Sequence, residues 1–142
     1  MPKKDKYHDA VKTALQKDGW EITRDPMILQ WGSKDVYVDF GAERLLAAEK
    51  TGQHIAVEIK SFLGASDTRD LEQAIGQYLL YRAIMERTDP IRQLFLAVPI
   101  IDAWNDTFLD SLGQLMLESY HLNVIAFDHV TEEVIVWSSN QN

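Results

Sequence analysis

Two carboxylates and a lysine carry the strongest chemical signal in this chain. The segment His54-Ile55-Ala56-Val57-Glu58-Ile59-Lys60 alternates as a strand does, so Ile55, Val57 and Ile59 share one face while Ala56, Glu58 and Lys60 share the other. Glu-x-Lys is common, and alone it reads as an exposed ion pair on an edge strand. Asp39 changes the weighing. It ends the apolar segment Val36-Tyr37-Val38, 19 residues before Glu58. On a neighbouring strand, about 4.8 Å away, it can converge with Glu58. Two such carboxylates repel unless a proton or a cation sits between them. Their hard oxygens suit Mg²⁺ or Mn²⁺ rather than a thiol-seeking metal. A lysine beside such a metal can stabilise charge on a reacting phosphate. These are the parts needed to hydrolyse a phosphodiester. Further along, Gln73, Gln77 and Tyr81 recur every four residues and form one helical stripe. By itself that stripe is better explained as a partly buried polar seam, with Tyr81 as ordinary core.

The elements that must position these groups follow from periodicity. Tyr7, Ala10, Val11, Ala14 and Leu15 predict a first helix over Lys6–Asp18, stopped by Gly19. Short extended pieces flank the breaker Asp25-Pro26, and Trp31-Gly32-Ser33 reads as a turn. Val36–Asp39 is β-like. Glu43–Glu49 and His54–Lys60 are expected to form a hairpin around a turn at Lys50–Gln53. Ser66 or Asp67 can cap a long helix over 67–87. A short buried strand at Leu94–Val98, a third helix at Asp106–Ser119, and strands at Leu122–Phe127 and Glu133–Trp137 complete the chain. That order predicts an α/β fold over 1–142 as a single domain, with a mixed central β-sheet flanked by helices.

Composition narrows the function classes. The 142 residues are 46% apolar, enough for a core without staples. There is no cysteine, which excludes disulfides and thiolate zinc sites. No signal-like apolar run follows Met-Pro-Lys-Lys-Asp-Lys, and no stretch approaches a membrane span. A cytoplasmic protein with no membrane contact is expected. The net charge of −8 disfavours a polyanion as partner, but it is unevenly spread. Residues 1–72 hold 11 Lys/Arg against 13 Asp/Glu, a net of −2; residues 73–142 hold 3 against 9, a net of −6. DNA is therefore expected to meet the N-terminal half, where Lys3, Lys4, Lys6, Lys12 and Lys17 cluster.

The order Asp39, Glu58-Ile59-Lys60, Gln77-x-x-x-Tyr81 resembles the PD-(D/E)XK nuclease superfamily. Most of the chain more closely resembles the XisH family. The matching segments are Tyr7-His8-Asp9-Ala10-Val11-Lys12, Asp18-Gly19-Trp20, Tyr37-Val38-Asp39, Ala47-Ala48-Glu49-Lys50, the run Ile55–Ser66 and Gly76-Gln77-Tyr78. The resemblance implies a restriction-endonuclease-like fold and a controlling role in excision of the fdxN element, a DNA rearrangement of heterocyst-forming cyanobacteria. It implies a site-specific recombinase and an XisI-like companion as partners. It also implies Asp39 and Glu58 as metal carboxylates, Ile59 as a backbone-carbonyl ligand, and Lys60, Gln77 and Tyr81 as site residues. Asp9, with His8 beside it, is the candidate for a further acidic ligand from the first helix. Val38 stands where the superfamily motif has proline. Three accounts stay open: an active Mg²⁺-dependent endonuclease, a nuclease fold that binds DNA or a recombinase without chemistry, and an adaptor for the XisI-like protein. A homodimer is compatible with each.

Overall fold

The structure, a computed structural model, describes residues 4–46 and 51–139. Among the described residues eight strands and three α-helices follow one another as α1 (His8–Lys17), β1 (Glu21–Arg24), β2 (Met27–Trp31), β3 (Lys34–Val38), β4 (Phe40–Leu46), β5 (Thr51–Ile59), α2 (Asp67–Thr88), β6 (Gln93–Pro99), a π-helical segment (Ile100–Phe108), α3 (Ser111–Tyr120), β7 (Val124–Asp128) and β8 (Glu133–Ser138). Six strands form one mixed sheet in the order β1-β4-β5-β6-β7-β8. β5–β6 and β6–β7 are parallel and the remaining pairs antiparallel. β2 and β3 make a separate hairpin. Among the described residues no helix is long and apolar enough to cross a membrane.

The central strands are buried on both faces, and alternation sorts their side chains into two cores. Ile55, Val57, Ile59, Phe95, Ala97, Ile125 and Phe127 pack with Tyr7, just before α1, and with Val11 and Leu15 of α1. Ala56, Leu94, Leu96, Val98, Val124 and Ala126 pack under α2 and the π-helical segment. α2 presents Leu71, Ala74, Tyr78, Tyr81 and Met85 to that second core, the spacing of one helical face. Its N-terminus is capped by Ser66, whose Oγ accepts from the Arg69 N–H at 3.3 Å. The buried Tyr78 hydroxyl donates to the Leu94 carbonyl and accepts from the Asn123 N–H, each at 3.1 Å, tying α2 across β6 to the entry of β7.

The β2–β3 hairpin lays Met27, Leu29 and Val38 into the α2-side core. Phe40, two residues on, is buried in the α1-side core. Asp39 is therefore the corner at which the chain passes from one face of the sheet to the other.

Three expectations shift in detail. β4 begins at Phe40 rather than Glu43, and β5 at Thr51. Leu46 pairs with Thr51, so Thr51, Gly52 and Gln53 lie within a strand rather than a turn; Lys50 lies outside the described residues. The expected helix at Asp106–Ser119 is two elements. The π-helical segment ends at Phe108, where Leu109 N–H bonds to the Trp104 carbonyl at 3.0 Å. Asp110 is extended, and α3 starts after it. Trp104 and Phe108 stack at 6.0 Å, a core contact that the wider winding accommodates.

Candidate functional site

β4 and β5 remain paired up to Phe40 opposite Val57. Beyond that point the β4 side of β5 has no strand partner, and Asp39 takes its place. The Ile59 N–H donates to Asp39 Oδ2 at 2.7 Å, and the Asp39 N–H donates to Glu58 Oε1 at 3.2 Å. These reciprocal bonds lock the corner to the strand end. On its other side β5 is held by the Lys60 N–H donating to the Ala97 carbonyl at 2.9 Å. In an extended strand a residue's N–H and C=O point the same way, so the Ile59 carbonyl faces the Asp39 edge. Past Lys60 the chain leaves the sheet at once, turning through Phe62 in the left-handed region (φ 54°).

Asp39, Glu58, Lys60, Gln77 and Tyr81 line one cavity of about 260 Å³, together with Lys4, His8, Asp25 and Tyr37. Glu58 is only 7% exposed. Burial, reinforced by the charge of Asp39, pushes its carboxyl up to about 8, against the opposing pull of Lys60 and the Asp39 N–H. Asp39 is also raised, chiefly by burial, although the Ile59 N–H and the nearby His8 and Lys60 favour its charge. Lys60 Nζ stands 3.6 Å from Glu58 Oε2. Burial and the two carboxylates push the Tyr81 phenol up to about 12, so it stays a neutral donor. Gln77 Oε1 is buried with no hydrogen-bond partner among the described residues. Gln73, the third member of the stripe, is exposed.

Asp9 is exposed and is not among the residues lining the cavity. One helical position is a rotation of about 100°, and it turns the neighbouring His8 inward instead. His8 is 3% exposed; its Nε2 lies 2.9 Å from Asp25 Oδ1, and its Nδ1 has no hydrogen-bond partner among the described residues. Lys12 Nζ donates to Asp25 Oδ2 at 2.6 Å. Burial works to raise the Asp25 carboxyl, but Lys12 and His8 outweigh it and hold it below the usual range. The His8–Asp25 pair was not legible in the sequence, since its members stand 17 positions apart with no local pattern linking them.

The site offers a cation hard oxygens: two carboxylates whose charges oppose each other, the Ile59 carbonyl, and the orphaned Gln77 Oε1. Among the described residues no group of three His, Cys, Asp or Glu side chains gathers closely enough to hold a metal by itself. A pair of carboxylates still suits Mg²⁺, which keeps several waters and takes further ligands from a substrate phosphate. A larger hollow, about 850 Å³, lies at the other end of β5. No Asp or Glu is among the described residues that line it, so the paired carboxylates belong to the smaller cavity alone.

The sequence profile of the family described as XisH protein matches residues 1–135. This chain belongs to the XisH family. The crystal structure of an XisH family protein from Nostoc punctiforme is 34% identical, covers 96% of this chain and 100% of its own, and superposes with a TM-score of 0.85. That of an fdxN element excision controlling factor protein from Anabaena variabilis is also 34% identical, covering 92% of this XisH chain and 96% of its own with a TM-score of 0.82. No curated protein matches the chain.

Proposed function

We propose that this XisH protein is a DNA-rearrangement factor that hydrolyses phosphodiester bonds at a PD-(D/E)XK-type site on a restriction-endonuclease-like sheet. One observation carries this reading: two mutually repelling carboxylates, Asp39 and Glu58, are held beside Lys60 at an open strand end. Burying like charges together is costly, and a cation with a phosphate ligand relieves that cost. Asp39, Glu58 and the Ile59 carbonyl would hold Mg²⁺ or Mn²⁺. When bound, such an ion polarises a phosphoryl oxygen and acidifies a water. Lys60 supplies a cation for the charge that develops on the phosphate, and Gln77 and Tyr81 orient groups at the cavity wall. The role in excision of the fdxN element rests on the Anabaena variabilis relative, and a cyanobacterial setting on both relatives.

The test is incubation with supercoiled, linear, branched and single-stranded DNA in Mg²⁺ or Mn²⁺, beside Lys60→Ala. Metal-dependent cleavage that falls roughly 10²-fold or more in the variant is expected. No cleavage of any substrate, or cleavage indifferent to Lys60, overturns the enzymatic reading. A catalytically silent adaptor is favoured in that event by the net −6 of residues 73–142 and by exposed Leu109, Leu112 and Leu115 around the start of α3. These suit a protein such as the XisI-like companion better than extended DNA.

A further inference from the structure

The hollow of about 850 Å³ at the N-terminal end of β5 has a simple origin in the fold. α1 has ten residues and spans about 15 Å. β5 has nine and runs about 30 Å. A helix of that length covers half of its sheet face, the half nearest Glu58. The other half is left with Trp20, just past the helix end, as its wall. Its floor comes from alternate residues of β4, β5, β6 and β8: Arg44, Gln53, Ile55, Phe95 and Trp137.

Two features separate this hollow from an unfilled groove. The first is a flat aromatic wall. Trp20 and Trp137 stack at 5.9 Å with 26° between their planes, and Phe95 meets Trp137 edge-on at 5.3 Å. Trp20 is almost wholly buried, but Trp137 remains 39% exposed, so part of its surface is open to a further ring. The second is a cation with no carboxylate partner among the described residues. Three arginines of the chain are not exposed. Arg82 faces Glu86, and Arg92 faces Asp89 and Glu43. Among the described residues Arg44 has only neutral acceptors: Gln53 Oε1 takes its Nε–H and Nη2–H at 3.2 and 2.7 Å, and the Asp18 carbonyl takes its Nη1–H at 3.3 Å. Its guanidinium lies 4.6 Å from the centre of the Trp20 ring. In a chain of net charge −8, no Asp or Glu is among the described residues lining this hollow. Nearby polar hydrogens add to the same preference. The buried Trp20 indole N–H has no partner among the described residues. Gln53 accepts from Arg44 through its oxygen, and among the described residues its amide hydrogens meet no acceptor.

We propose that this hollow is a binding site for a small, planar, aromatic anion, whose ring stacks on Trp137 and whose charge meets Arg44. The volume lies within the roughly 300–1,000 Å³ usual for small-molecule sites. Stacked rings with an adjacent guanidinium favour flat ligands over aliphatic ones. An acid-free lining with donors to spare favours an anion over a neutral or cationic ligand. The site stands apart from the Glu58 cavity, at the opposite end of β5, and does not depend on the nuclease reading.

Calorimetric titration of the whole chain tests it with naphthalene-2-sulfonate, its neutral sulfonamide and cyclohexanesulfonate; adenosine monophosphate serves as a fourth arm that asks whether a nucleotide is the source of the ring and the charge. The planar anion is expected to bind at least tenfold more tightly than either the neutral or the non-planar analogue. Arg44→Met should abolish the preference for charge, and Trp137→Leu the preference for planarity. Both variants must melt as the parent does; if Arg44→Met does not, Gln53→Leu, expected to loosen Arg44 and weaken the preference for charge, replaces it. Asp110→Asn, outside both cavities, should leave all four affinities unchanged. Equal affinity for the charged and neutral rings, no binding by either, or preferences unmoved by the variants at Arg44 or Gln53 and at Trp137 would overturn the proposal.

Discussion

Glu58 ties the chemistry of this site to the stability of the fold. In the metal-free protein its folded pKa is raised to about 8, from 4.5. Between those values the folded chain keeps a proton that the unfolded chain has lost. Stability from this group must therefore fall as pH rises from about 4.5 to about 8, and level off above. Glu58→Gln removes the titration. Denaturant unfolding across that range should show the variant flatter than the parent and, near pH 8, more stable by on the order of a few kcal/mol. A parent curve that rises with pH through this window would mean that Glu58 is not held as a buried acid. Glu58 and Lys60 were legible as neighbours because strand alternation is a strict period of two, whereas Asp39 meets them from the corner between β3 and β4 rather than from a paired strand. Asp9 is exposed because helical direction changes by 100° per residue, and a motif that marks the helix does not mark which of two neighbours turns inward. His8 takes the inward place, and its partner Asp25 comes from a turn that no local pattern connects to it.

At the scale of elements, most strands could be read from the sequence, and their boundaries less well. Phe40 and Val38 are both apolar and both buried; only the tertiary structure reveals that they enter different cores, with Asp39 as the corner between them. The region from Ile100 to Tyr120 was harder, since one apolar periodicity cannot distinguish a continuous helix from a π-helical segment followed by an α-helix. Gly113 marks the junction. A Cβ there would sit 2.1 Å from the Thr107 carbonyl oxygen and 2.5 Å from Phe108 Cα, backbone that has no room to yield. Gly113→Ala is expected to cost about 3 kcal/mol or more. Gly76, within α2 and one residue before Gln77, has open space around it, so Gly76→Ala should stabilise by about 0.4–1 kcal/mol. Thermal melting of the two variants should shift in opposite directions. A neutral Gly113→Ala would show that α3 does not pack so closely on the π-helical segment.

The whole molecule carries a cavity at each end of β5 and an uneven spread of charge between its halves. If DNA binds over the Glu58 cavity, Lys4 at its rim is the exposed cation best placed to meet a phosphate. Lys4→Gln should weaken binding across DNA sequences and lower the salt slope by about one; fluorescence anisotropy at several salt concentrations reads both. The acidic second half predicts that binding is already weak near physiological salt. The central claim is that Asp39 and Glu58 are brought together to share a divalent cation, and thermal unfolding across a Mg²⁺ or Mn²⁺ titration tests it most directly. A cation that binds the assembled site and not the unfolded chain stabilises the fold, by about 2.7 kcal/mol at 100 times Kd. Wild type and Asp110→Asn, whose side chain makes no capping bond to α3, should gain equally. Asp39→Asn, which removes one anionic ligand with little change of shape, should lose most of the gain. Equal gains in all three proteins would place the cation elsewhere and contradict the account.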